Sequence, residues 1–101
     1  MRVKLERATV DERLAALGTW SLEAEESKWV TRKYRFAAFM QGITFVGEVA
    51  RIAEDLNHHP MIAIDYKMVT LRLTTWSAGG LTELDFQAAG KFDQAYADLL
   101  S

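Results

Sequence analysis

The chain has 101 residues, of which 12 are basic and 14 acidic, and its formal net charge is −2. At roughly 100–200 residues per domain, this length predicts a single domain over residues 1–101. Half of the residues are hydrophobic, which excludes an intrinsically disordered chain. Cysteine is absent, which excludes disulfide frameworks, zinc ribbons and thiol catalysis.

The charge pattern bears on partners and location. No run of basic residues occurs, so we expect no direct contact with nucleic acid. No apolar stretch approaches the ~20 residues that cross a bilayer, and the first seven residues alternate charged and apolar side chains, unlike a secretory signal. These features predict a cytoplasmic protein without a membrane partner.

The first half of the chain predicts a helix, two strands and a long helix. The capping-box pattern at residues 9–12 predicts that the first helix begins at Thr9, and Gly18 is the expected stop. Strands are predicted over residues 20–23 and 29–36. Apolar side chains then recur every three or four residues from about 37 to 57, which predicts a second helix that ends before Pro60.

The second half predicts a hairpin over residues 61–75, with its turn at 65–67, and a third helix. Val69, Leu71 and Leu73 alternate with polar residues, as in a half-buried strand. The third helix is predicted to begin at Thr82, with Asp85 in its first turn. The predicted fold is therefore α+β, a four-stranded antiparallel sheet with three helices packed on one face, in the order αββαββα. The open edges of such a sheet favour self-association.

His58 and His59 are the only histidines, and they stand together just before Pro60. Three interpretations are open. Both side chains could form a solvated cap at an exposed helix end, where the helix dipole favours a cation. They could bind a metal with Glu54 and Asp55, although no third histidine and no usual ligand spacing is present. They could also act as a general acid and a general base, because imidazole titrates near neutral pH.

Tryptophan and aspartate give further candidates. Trp29 is expected in the core, whereas Trp20 and Trp76 are expected near the ends of strands, where an indole can face either the core or a ligand. Asp85 is expected to accept hydrogen bonds from free amides at the start of the third helix, a structural role that is compatible with facing a site.

The spaced set formed by Glu54, His58-His59-Pro60, Tyr66, Trp76 and Asp85 resembles the signature of the pterin-4a-carbinolamine dehydratase family. The similarity extends from about residue 14 to residue 99. It implies dehydration of a 4a-hydroxytetrahydropterin to a quinonoid dihydropterin, in the recycling of tetrahydrobiopterin, without a metal or an organic cofactor. It also implies a homodimer or homotetramer.

The resemblance assigns roles to individual residues. His58 and His59 are the implied catalytic acid and base, with no indication of which residue does which. The implied substrate-binding residues are Glu54, Pro60, Thr75, Trp76, Asp85 and Trp20. Many members carry a third histidine where this chain has Trp76, an indole that can stack on a pterin but cannot transfer a proton near neutral pH. The alternative function is a non-catalytic module on the same fold, acting as a transcriptional coactivator or as an assembly helper.

Overall fold

The computed structural model describes residues 2–23 and 28–101. Its elements follow the predicted order, so the α+β prediction is confirmed. None of the helices in the described ranges combines the length and the apolar character needed to cross a bilayer. In chain order the elements are α1 (Arg7–Leu17), β1 (Ser21–Leu22), β2 (Val30–Arg35), α2 (Phe39–Leu56), β3 (Met61–Asp65), β4 (Met68–Leu73) and α3 (Glu83–Leu100), with one 3-10 turn, Trp76–Ala78, between β4 and α3.

The strands form one antiparallel sheet in the order β1-β2-β4-β3. In the interior strand β4, Val69, Leu71 and Leu73 are buried and the residues between them are partly exposed. This period of two gives the sheet one buried face. The helices cover that face, and the core side chains that they contribute are Val10, Phe45, Val49, Ile52, Phe86, Ala88, Ala89 and Phe92.

The start of the first helix differs from the prediction. α1 begins at Arg7, after the extended residue Glu6, so Thr9 lies inside the helix and does not cap it. The cause is a long-range contact. The backbone N–H of Leu5 donates to the carbonyl of Leu81 at 2.8 Å, which keeps the chain extended up to the helix. The predicted helix end is confirmed, because Gly18 has a left-handed φ of 71°.

The ends of α2 and α3 that face each other agree with the sequence pattern. α2 ends at Leu56, and Asn57 reverses the chain in the left-handed conformation, with φ of 49°. The chain therefore leaves the helix three residues before Pro60. α3 begins directly after Thr82, as predicted, and the carboxylate of Asp85 accepts the backbone N–H of Thr82 at 2.9 Å.

A second carboxylate, that of Asp93, ties α3 to the first half of the sheet. It accepts hydrogen bonds from Trp20 Nε1 at 2.9 Å, from an Arg32 guanidinium nitrogen at 2.7 Å, and from the hydroxyls of Tyr34 and Thr19 at 2.5 Å. Burial, followed by the bond to Asp93, raises the pKa of Tyr34 far above its usual range, so the phenol remains a donor. This network fixes α3 against β2.

Candidate active site

The end of α2 places two adjacent histidines in opposite environments. The backbone N–H of His58 donates to the carbonyl of Ala53 at 3.0 Å and closes the helix end. His58 is buried, at 6 % exposure, whereas the His59 side chain is 54 % exposed. The interpretation of both histidines as a solvated cap is therefore wrong for His58.

The side chain of Asp85 lies completely buried behind His58. Its Oδ1 lies 2.6 Å from His58 Nε2. Its Oδ2 accepts the Thr75 hydroxyl at 2.7 Å and the Thr82 backbone N–H at 2.9 Å. The two threonine hydroxyls are 2.9 Å apart, and because Thr75 uses its proton on Asp85, Thr82 must donate to Thr75. The carboxylate thus has a donor at both oxygens, as a buried anion requires.

This arrangement fixes the protonation pattern of the His58 ring. An ionised carboxylate can only accept hydrogen bonds, so Nε2 is the nitrogen that carries the proton toward Asp85. In the neutral imidazole, Nδ1 is then an acceptor. Every buried side-chain nitrogen or oxygen of the described residues has a hydrogen-bond partner. Because Nδ1 takes no part in the hydrogen bonds of His58, it is not among the fully buried atoms and is not occupied by a protein partner.

His59 forms a second imidazole–carboxylate pair at the surface. Its Nε2 lies 2.5 Å from Oε2 of Glu54, one turn earlier on α2. The two side chains are 54 % and 76 % exposed, so water competes for this contact and the pair is held less firmly than His58 and Asp85. Both rings therefore bond to a carboxylate through Nε2. The geometry is fixed for His58 and adjustable for His59.

The two histidines line a common cavity, which we call the histidine pocket. Its volume is about 420 Å³, within the range of small-molecule sites. It lies where the end of α2, the start of β3 and the segment after β4 meet. The lining residues are Arg2, Asn57, His58, His59, Pro60, Met61, Thr74, Trp76 and Ser77.

Trp76 stands at the rim of this pocket with 78 % of its surface exposed. Thr75 and Gly80 form a backbone bridge that closes the loop carrying Trp76. The indole of Trp29 meets that of Trp76 edge to face, with ring centroids 5.2 Å apart and an interplanar angle of 82°. Trp29 is therefore only partly buried and lies outside the core cluster, contrary to the prediction.

Trp29 is in turn backed by an ion pair. The Arg72 guanidinium lies 4.4 Å from the centre of a Trp29 ring. Arg72 donates to both carboxylate oxygens of Glu23, at 2.6 and 2.9 Å. The hydrogen bond from Arg72 holds the pKa of Glu23 below its usual range, so the carboxylate stays charged. The stack Glu23–Arg72–Trp29 thus contacts Trp76 and leaves most of its indole exposed.

The structure brings most of the predicted residues together, in two layers. His58, His59, Pro60 and Trp76 line the pocket. Asp85, Thr75 and Glu54 do not line it but bind the two histidines or one another, as described above.

Trp20 lies elsewhere. It is buried at 5 % exposure, and its Nε1 donates to Asp93. Trp20 does not line the histidine pocket, contrary to the role in substrate binding expected for it, because its indole faces the core at the Asp93 network.

Five residues that line the pocket were not predicted from the sequence. Asn57 and Met61 flank the histidine pair, and Thr74 and Ser77 lie next to the predicted Thr75 and Trp76, so their proximity in sequence was an available signal. Arg2 is 55 residues from its hydrogen-bond partner Asn57, and no sequence pattern links the two.

The metal-binding interpretation of the histidine pair can be compared with the side chains around it. Within residues 2–23 and 28–101, no three histidine, aspartate or glutamate side chains converge in a geometry that could hold a metal ion.

Comparison with known proteins identifies the relatives of this chain. The family model described as pterin 4 alpha carbinolamine dehydratase matches residues 3–95. Two provisionally named pterin-4-alpha-carbinolamine dehydratases are similar. That of Chloroflexus aurantiacus is 46 % identical over 91 residues, or 90 % of this chain and 95 % of its own. That of Rhizobium leguminosarum bv. trifolii is 42 % identical over 94 residues, or 93 % and 92 %.

A solved structure is similar as well. The crystal structure of a transcriptional coactivator/pterin dehydratase from Brucella melitensis superposes with a TM-score of 0.88 at 32 % sequence identity. The alignment covers 92 % of this chain and 98 % of that one.

Proposed function

We propose that this chain, which belongs to the pterin 4 alpha carbinolamine dehydratase family, is an enzyme that dehydrates a 4a-hydroxytetrahydropterin to a quinonoid dihydropterin and water. The observation that carries the proposal is the pair of imidazoles on one pocket, each bonded through Nε2 to a carboxylate. Such a pair can provide a proton donor and a proton acceptor to the same ligand.

The reaction needs two proton transfers and the cleavage of the C4a–O bond. The hydroxyl group on C4a takes a proton and leaves as water. The proton on N5 is removed, and its bonding electrons form the C4a–N5 double bond. One imidazole gives a proton and the other takes one, and exchange with water restores both. His58 and His59 fit this pair of roles because each keeps Nδ1 free of the carboxylate that orients its ring. No metal or organic cofactor takes part.

Trp76 and the residues behind the histidines complete the proposed site. The exposed indole offers an aromatic face on which a pterin can stack. Asp85, with Thr75, orients His58, and Glu54 orients His59, so we assign these three as positioning residues. Pro60 lines the pocket between His59 and β3. In the cell, we propose that the enzyme acts in the cytoplasm on the carbinolamine that a tetrahydropterin-dependent hydroxylation produces.

A non-catalytic role on the same fold is the second candidate. The Brucella melitensis relative is described as a transcriptional coactivator as well as a pterin dehydratase. In addition, Trp76 stands where a histidine would offer a further proton-transfer group, and an indole offers none. A purely non-catalytic module needs no ligand in the histidine pocket. Pterin binding therefore separates the two candidates.

Removing either imidazole tests the proposed chemistry. We expect His59→Ala to lower catalysed dehydration by about 10²–10⁴-fold without changing the free energy of unfolding, since His59 is exposed. His58→Ala should lose as much activity and also lower the free energy of unfolding by about 1–3 kcal/mol, because Asp85 loses a donor. Absorbance of freshly generated 4a-hydroxytetrahydropterin and chemical denaturation measure these effects.

His58→Gln is the matched control for that experiment. Its side-chain amide still donates toward Asp85, so we expect stability to recover and activity to remain lost. Rates like those of the unchanged protein in both His58→Gln and His59→Ala would contradict the acid–base proposal.

The aromatic contact at the rim gives a prediction on binding. Trp76→Ala should weaken the binding of an oxidised pterin by about 1–3 kcal/mol, the range of stacking on an aromatic side chain. Trp29→Ala should weaken binding less, and it should have no further effect when Trp76 is already alanine, because it acts through Trp76. A fluorescence titration of all four proteins measures this cycle. Unchanged affinity in Trp76→Ala, or fully additive effects, would contradict the proposed stacking.

We also propose that the chain forms a homodimer or homotetramer. All five residues of the edge strand β3 are exposed, including Met61, Ile62 and Ile64, and β3 pairs with β4 on one side only among the described strands. Such an edge is a template for pairing with another strand. Light scattering should give two or four times the single-chain mass of 11.4 kDa. The substitution Ile62→Lys should lower the measured mass, because it places a charge on the exposed edge strand. A single-chain mass for the unchanged protein would contradict this proposal.

A further inference from the structure

The histidine pocket contains one charged residue that the proposed dehydration does not use, Arg2. Its guanidinium donates one hydrogen bond, from a terminal nitrogen to the carbonyl of Asn57 at 3.1 Å. Asn57 is the left-handed residue directly before His58, so this bond places the cation next to the histidine pair. Among the lining residues, Arg2 is the one with a fixed charge.

Arg2 differs from most other arginines of the chain in lacking a carboxylate partner within the described residues. Five others pair with acidic side chains, namely Arg7, Arg13, Arg32, Arg51 and Arg72. The carboxylates that contact the pocket histidines, those of Glu54 and Asp85, are bonded to His59 and His58 rather than to Arg2. Within residues 2–23 and 28–101, the positive charge of Arg2 at the pocket is therefore not paired with a carboxylate.

The segment that carries Arg2 is fixed to the body of the protein. The N–H of Leu5 donates to the carbonyl of Leu81, as described above. The stem of Lys4 lies against Gly80, where an added Cβ would be only 3.0 Å from Lys4 Cε. The absence of a side chain at position 80 thus allows this close approach. Anchored at both points, the segment brings Arg2 back to the end of α2.

We infer that Arg2 selects a pterin whose side chain carries an anionic group, a carboxylate or a phosphate. This inference rests on the proposed dehydratase function and names its substrate class. A guanidinium has five N–H donors in a planar fork that matches the oxygens of both anions, and the bond to Asn57 uses one of them. The stacking and acid–base groups would act on the ring system, while Arg2 binds the acid at its side chain.

The test compares three oxidised pterins by fluorescence titration at low ionic strength. They are 6-hydroxymethylpterin, which has a neutral side chain, 6-carboxypterin, and the phosphate ester of 6-hydroxymethylpterin. We expect the unchanged protein to bind at least one of the two anionic pterins about fivefold more tightly than the neutral one, a preference that falls as salt is added. Whether the carboxylate or the phosphate gains more identifies the anion.

Arg2→Met should abolish that preference and leave the affinity for the neutral pterin within about twofold, because it removes the charge and keeps an aliphatic stem. The matched control is Arg35→Met, which makes the same change in net charge at an exposed arginine outside the pocket, and it should keep the preference. Equal binding of all three pterins by the unchanged protein, or a preference that survives in Arg2→Met, would overturn the inference and leave the proposed function intact. Failure of the unchanged protein to bind any of them would overturn both.

Discussion

The hydrogen bonding of the buried Asp85 carboxylate is the interaction on which the candidate site depends. Removing a carboxylate from water costs several kcal/mol unless donors in the protein replace the lost hydration. Here the donors come from three places in the chain. His58 follows α2, Thr75 follows β4, and Thr82 precedes α3. Satisfying one anion therefore joins the ends of three elements and builds the inner wall of the histidine pocket.

The two histidines are constrained to different degrees, and the difference suits their proposed work. His58 is held by a buried partner that is itself bonded to both threonines, so its ring position is set by the fold. His59 is exposed and paired with the exposed Glu54, so its ring can adjust to a ligand. Trp76 lines the same pocket and contacts Trp29. The pocket thus combines a fixed imidazole, an adjustable imidazole and an exposed indole.

Sequence patterns predicted the parts of this structure that depend on local periodicity. The alternation of Val69, Leu71 and Leu73 identified β4, and the spacing of apolar residues identified α2 to within two residues at its start and one at its end. The pairing of Thr82 with Asp85 at the start of α3 was also visible, because both residues lie within one helical turn. The order of helices and strands followed from these local signals.

Features that depend on distant contacts were not predictable in this way. α1 begins at Arg7 rather than at Thr9 because the backbone of Leu5 binds that of Leu81. Trp29 lies outside the core, where it contacts Trp76 and Arg72. The burial of His58 depends on Asp85, 27 residues away, and the placement of Arg2 depends on a bond across 55 residues. The expected roles of the site residues came from a resemblance to a known signature. Only the structure distinguishes the residues that line the pocket from those that lie behind the histidines.

The most direct test of this account is the protonation pattern of His58, observed by nitrogen-15 NMR of the histidine rings. Neutral His58 should carry its proton on Nε2, with Nδ1 unprotonated, and a bound pterin should perturb Nδ1. Asp85→Ala should release this pattern, because the carboxylate that accepts from Nε2 is gone. A neutral His58 with its proton on Nδ1 in the unchanged protein would contradict this arrangement, because Nε2 would then have no proton to donate to Asp85.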